Sequence, residues 1–137
     1  MDQILNTDAF PANLRVLVAE DNPTNLKVAN LILRPFVTVF DSAVDGIIAF
    51  EKFKENKYDI IFMDVQMPLM DGYEATKCIR EYEAVNNLVP VKIVAMTANA
   101  MQDDIDLCLN SGMDNYLSKP FKRDDMLKIL QSLNLLK

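Results

Sequence analysis

Ile60-Ile61-Phe62-Met63, closed by Asp64, is the stretch on which the fold turns. Four consecutive apolar residues leave no polar side, so a strand built from them must be covered on both faces. Two other runs share that character, Val16-Leu17-Val18-Ala19 before it and Ile93-Val94-Ala95-Met96 after it. Strands of this kind belong to a parallel sheet sandwiched between helices. Val37-Thr38-Val39-Phe40 alternates, as an edge strand does, and the short Asn115-Tyr116-Leu117-Ser118 also reads as an edge.

Between these runs the apolar residues recur at helical spacing. Residues 23–33 place Leu26, Ala29, Ile32 and Leu33 on one side, with Asn22 as the cap and Pro23 at the first helical position. Residues 43–55 turn Ile47, Ile48 and Phe50 inward, and residues 72–85 form a third helix after a turn. Residues 101–110 align Met101, Ile105, Cys108 and Leu109 before Gly112 stops the helix, and a fifth runs from about Arg123 to Leu133. Five strands, each followed by a helix through short connections, predict an α/β fold: a right-handed, doubly wound, five-stranded parallel sheet flanked by five helices. The 137 residues, half of them apolar, suffice for one core. Residues 1–13 read as an N-terminal tail or linker and residues 14–137 as the domain.

The net charge of −6 repels nucleic-acid phosphates and anionic membranes unless a basic patch intervenes. The only tight basic pair, Lys122-Arg123, stands directly before two aspartates, so neither nucleic acid nor membrane is expected as a partner. Cys78 and Cys108 suit neither a disulfide framework nor a zinc site and read as two buried thiols in a reducing cytoplasm. The N-terminus lacks a cationic stretch before an apolar run, and no apolar segment approaches the roughly 20 residues a spanning helix needs. A soluble, cytoplasmic location is the expectation.

In an open parallel sheet the ligand site lies beyond the carboxyl ends of the strands. There the first strand ends in Glu20-Asp21, the third in Asp64 and the fourth in Thr97, while the fifth is followed by Lys119-Pro120. Any one of these could merely start a turn or cap a helix. Five converging on one edge from four strands call for a chemical reason. Three carboxylates in one cleft repel each other; Glu20, Asp21 and Asp64 carry −3, which Lys119 and a divalent ion balance. Oxygen ligands in a chain without histidine select a hard cation such as Mg2+, usually completed by a phosphate oxygen, and so suggest phosphoryl chemistry.

Four blocks carry a resemblance: Val16-Leu17-Val18-Ala19-Glu20-Asp21-Asn22, Phe62-Met63-Asp64-Val65-Gln66-Met67-Pro68-Leu69-Met70-Asp71-Gly72, Ala95-Met96-Thr97-Ala98 and Tyr116-Leu117-Ser118-Lys119-Pro120-Phe121. In this order they resemble the response-regulator receiver domains of two-component signalling, most of all those fused to hybrid histidine kinases. The resemblance covers Leu14 to the C-terminus and implies the flavodoxin-like strand order 2-1-3-4-5. It implies that Asp64 takes a phosphoryl group from a partner phosphohistidine. Asp21, Asp64 and the backbone carbonyl of Gln66 would then hold Mg2+, with Glu20 acting through a water. Lys119 would pair with Asp64 at rest and with a phosphoryl oxygen afterwards, and Pro120 would follow a cis peptide bond.

Thr97 and Tyr116 resemble the family's switch pair, whose bistable surface is the fourth helix, fifth strand and fifth helix. Gln66 and Asn99 stand where the family tunes phosphoryl lifetime. A histidine kinase or a histidine phosphotransfer protein is the implied partner, and the chain itself is expected as a monomer or a weak phosphorylation-dependent dimer. Such a domain is no conventional enzyme, since it catalyses only its own aspartyl phosphorylation and dephosphorylation.

Two departures stand out. The turn Arg34-Pro35-Phe36 is short and lacks the customary glycine, which should displace the start of the second strand, and Glu20 stands where aspartate is common. Three other functions compete. A Mg2+-dependent phosphatase of haloacid-dehalogenase type wants a second acid where Gln66 stands. A flavodoxin-like FMN carrier needs a small-residue phosphate loop where Glu20-Asp21-Asn22-Pro23 stands. A degenerate receiver used for docking alone would not need all five site residues.

Overall fold

The computed structural model describes residues 13–135. The tail or linker expected over residues 1–13 lies outside them except for Asn13. Five strands, β1 (Leu14–Ala19), β2 (Val37–Ala43), β3 (Ile60–Asp64), β4 (Lys92–Thr97) and β5 (Asn115–Ser118), form one sheet in the order β2-β1-β3-β4-β5. Every pairing is parallel. The helices are α1 (Pro23–Leu33), α2 (Gly46–Glu55), α3 (Gly72–Val85), α4 (Gln102–Asn110) and α5 (Arg123–Ser132). Among the described residues no helix is long and apolar enough to cross a membrane.

The doubly apolar runs fill both faces. Val16, Val18, Ile60, Phe62, Val94 and Met96 point to one layer, with Ala29 and Leu33 of α1 and Met126 and Leu130 of α5. Their alternates Leu17, Ile61, Met63, Ile93 and Ala95 meet Ala49 and Phe53 of α2, Ala75 and Ile79 of α3 and Cys108 of α4. The period of two along each strand thus feeds two cores, and burying each large apolar side chain contributes about 1.5–3 kcal/mol.

Several expectations need correction. Ala43 completes β2 opposite Ala19 rather than opening α2, which starts at Gly46 behind the Asp45 cap, whose Oδ1 accepts from Ile48 N at 2.8 Å. Gly46, Ala49 and Phe53 are the buried residues of α2, Ile48 and Phe50 pack against the core half-buried as expected, and Ile47 instead lies 40% exposed. In α4 only Cys108 is buried; Met101 is its extended N-cap and 64% exposed, and Leu109 is 48% exposed. That helix lies over the edge strand β5, which gives it little sheet to cover. Cys78 is half-buried, not buried. The Arg34-Pro35-Phe36 turn is a 3-10 turn that seats Phe36 in the core. The β1–β2 register slips there, since Leu14 faces Val37 and Arg15 faces Val39.

Candidate functional site

The carboxyl ends of β1, β3, β4 and β5 deliver the polar residues to one rim. Past β1, Asn22 caps α1, its Oδ1 accepting from Thr24 N at 2.9 Å and Asn25 N at 3.0 Å. Its own backbone amide donates to Glu20 Oε2 at 3.0 Å, so the cap also fixes the Glu20-Asp21 turn. Asp64 is the last residue of β3, 4% exposed, and its Oδ1 accepts from Gln66 N at 3.0 Å. Behind it, a Cβ on Gly72 would lie 2.3 Å from the Asp64 carbonyl oxygen, so only glycine lets α3 start this close to the strand end. Lys119 follows β5, and the Lys119-Pro120 peptide is cis.

Carboxylate oxygens of Glu20, Asp21 and Asp64 all lie within 4.8 Å of one another. The Lys119 ammonium bridges two of them, 2.8 Å from Glu20 Oε1 and 2.9 Å from Asp64 Oδ2. Burial lifts the Glu20 carboxyl above its usual range; Lys119 and the Asn22 amide oppose the shift, and Asp64 adds to it. Burial also works against the Lys119 charge, but Glu20 and Asp64 outweigh it and hold the lysine above its ordinary range. The bridge leaves the site short of positive charge, with three carboxylates against one ammonium.

Glu20 Oε1 sharpens that deficit. It is buried, and the Lys119 ammonium at 2.8 Å is the one partner seen for it. A buried carboxylate oxygen with spare lone pairs, two more carboxylates beside it and no nitrogen or sulfur donor form a set that fits a hard dication. The cleft above them holds about 530 Å3 and is lined by Glu20, Asp21, Asn25, Asp64, Ala98 and Lys119. That is room for a hydrated ion and a tetrahedral anion together.

Thr97 closes β4 at this rim, 3% exposed, yet its hydroxyl turns back on its own loop. Oγ1 donates to Asn99 O at 3.0 Å and accepts from Asn99 N at 3.1 Å. Tyr116 stands half-buried on β5 against the layer of α2, α3 and α4. The Gln66 side chain is exposed, and only its amide is seen to engage Asp64. Asn25 was not foreseen. It reaches the cleft because it sits one helical turn past the Asn22 cap, and nothing in its own sequence neighbourhood marks it.

The model of the response regulator receiver domain family matches residues 16–131. Hybrid signal transduction histidine kinase B of Dictyostelium discoideum is 42% identical over 121 residues, aligning 82% of this chain with 6% of that protein. This chain therefore spans a small part of the length of that relative. Among solved structures, the receiver domain of the Pseudomonas aeruginosa sensor histidine kinase PA1611, with magnesium in its active-site cleft, is 42% identical at a TM-score of 0.77. The alignment covers 88% of this chain and 96% of that one. The receiver domain of Saccharomyces cerevisiae Ssk1, in complex with the histidine phosphotransfer protein Ypd1, is 36% identical at a TM-score of 0.84, covering 89% of this chain and 88% of that one.

Proposed function

The chain belongs to the response regulator receiver family, and from that premise we propose that Asp64 accepts a phosphoryl group from the phosphohistidine of a partner protein. The observation that carries this reading is the meeting of Glu20, Asp21 and Asp64 within 4.8 Å, bridged by Lys119. A carboxylate oxygen of Asp64 forms the new O–P bond while the P–N bond of the phosphohistidine breaks, its electron pair leaving on the imidazole. Asp21, Asp64 and the Gln66 carbonyl would hold Mg2+, with Glu20 acting through a water. Mg2+ supplies positive charge to the equatorial oxygens of a loose transition state.

Lys119 has the complementary task. Its ammonium sits at rest between Glu20 and Asp64, placed to follow the phosphoryl oxygen once Asp64 is esterified. Thr97 would then exchange its contacts with the Asn99 backbone for a phosphoryl oxygen, and Tyr116 would turn into the space vacated. The surface so altered comprises α4, β5 and α5. Hydrolysis of the aspartyl phosphate by the domain itself would reset it. The donor is a histidine kinase or a histidine phosphotransfer protein, and the domain, residues 14–137, works in the cytoplasm as a monomer or weak dimer without nucleic acid. With Gln66 in place of a second acid, a haloacid-dehalogenase type of phosphatase has no support.

Intact-mass spectrometry with acetyl phosphate tests the assignment. One phosphoryl group should appear on the wild type only with Mg2+, and none on Asp64→Asn. Equal labelling of both proteins would refute it.

A further inference from the structure

A groove of about 860 Å3 opens at the other end of the sheet, between the end of α2, the turn into β3 and the loop from α3 to β4. Its floor is aromatic: buried Phe53 meets Tyr82 edge to face, the ring centroids 6.0 Å apart. Its lip is apolar and bare, with Val89 90% exposed beside Pro90. Leu88, 46% exposed, lines it as well.

This lip is held in place. Glu83 Oε2 accepts from Val91 N at 2.7 Å, Glu83 O accepts from Leu88 N at 2.9 Å, and Arg80 donates to Glu83 Oε1 at 2.8 Å. Apolar side chains held rigidly in water suit a contact with another protein. The charge around it narrows the partner. Lys57 and Lys92 line the groove and form no ion pair among the described residues. Lys54 stands 4.6 Å over the Phe50 ring, and Asp59 is taken by Arg15 at 3.0 Å, which leaves Glu55 as the unpaired anion of the lining. The groove is thus a cationic spot on a chain of net charge −6.

We propose that this groove docks a segment of a partner protein whose apolar side chains are flanked by carboxylates. Apolar anchors would cover Val89 and enter over Phe53 and Tyr82, while the carboxylates meet Lys57 and Lys92. The six residues of β1 separate this rim from Glu20 by about 20 Å, so docking and phosphoryl transfer do not compete. The proposal stands independently of the role given to Asp64.

Fluorescence anisotropy on the whole chain tests it, with a fluorescein-labelled peptide of Leu and Glu at helical spacing and its counterpart with Lys in place of Glu. The acidic peptide should bind and the basic one should not. The double variant Lys57→Glu/Lys92→Glu, and separately Val89→Asp, should each weaken binding about tenfold or more, while both still label with Mg2+ and acetyl phosphate. Affinity should be the same for the phosphorylated and unphosphorylated chain. Equal binding of both peptides, binding of neither, undiminished affinity in the variants or dependence on phosphorylation would overturn it. So would self-association of the chain that Val89→Asp abolishes, since a second copy would then fill the groove.

Discussion

Glu20 and Glu83 are glutamates of nearly equal burial, 1% and 3% exposed, at opposite ends of the same sheet. Glu83 is fully partnered. Arg80 donates to one oxygen at 2.8 Å and Val91 N to the other at 2.7 Å, and the same arginine continues to Gly112 O at 2.9 Å and Asp114 at 3.0 Å. Glu20 receives one backbone amide on Oε2, and its Oε1 has only an ammonium that it must share with Asp64. Burial of a charge costs little where its partners are complete and much where they are not. Glu83 ties the α3–β4 loop down, whereas Glu20 stands in a carboxylate cluster with too little positive charge to balance it.

Removing the completed carboxylate should have the largest effect on stability. Glu83→Ala strands Val91 N and half of the Arg80 fork, and should lower the unfolding free energy by about 3 kcal/mol in a denaturant titration; a loss under about 1 kcal/mol would erase the contrast. Mg2+ binding comes next. Mg2+ at a hundred times its dissociation constant should stabilise the wild type by about 2.7 kcal/mol, seen as a rise in melting temperature. Asp21→Asn should lose most of that gain. Gly72→Ala, which drives a methyl into the Asp64 carbonyl, should reduce Mg2+-dependent labelling more than it reduces melting temperature.

Smaller changes sharpen the same comparison. Without Mg2+, Glu20→Gln should alter stability by less than about 1 kcal/mol, because the lost ion pair is offset by relief from burying an under-partnered charge. At the paired rim, Arg15 holds the Asp59 carboxyl below its usual range even though burial pushes the other way. A depressed carboxylate contributes stability above its unfolded pKa of about 3.9 and loses it as pH falls through the folded value. Asp59→Asn should therefore cost under about 1 kcal/mol at neutral pH and nothing once the pH is well below that value, as followed by thermal melts across pH.

Much of this was legible beforehand. The doubly apolar runs at Val16, Ile60 and Ile93 announced central strands, and the carboxyl-end rule located Glu20, Asp21, Asp64, Thr97 and Lys119 at one rim. What misled was helical spacing. Met101 at the cap of α4, Leu109 within it, and Ile47 in α2 sit at apolar positions of a helical pattern yet face water. Periodicity states which residues could share a side, not whether a neighbour covers it. The Glu83, Arg80 and Asp114 network gave no sign, because its members lie up to 34 positions apart and each alone looks like an ordinary surface charge.

By itself the sequence determined the succession of strands and helices and the chemistry available at each strand end, since both follow from local pattern and residue type. The tertiary structure alone decided that one ammonium reaches Glu20 and Asp64 together, that Thr97 rests on Asn99, and that a cationic apolar groove faces away from them. The reason is distance along the chain: Lys119 and Asp64 are 55 residues apart, and only packing five strands side by side fixes their separation at 2.9 Å.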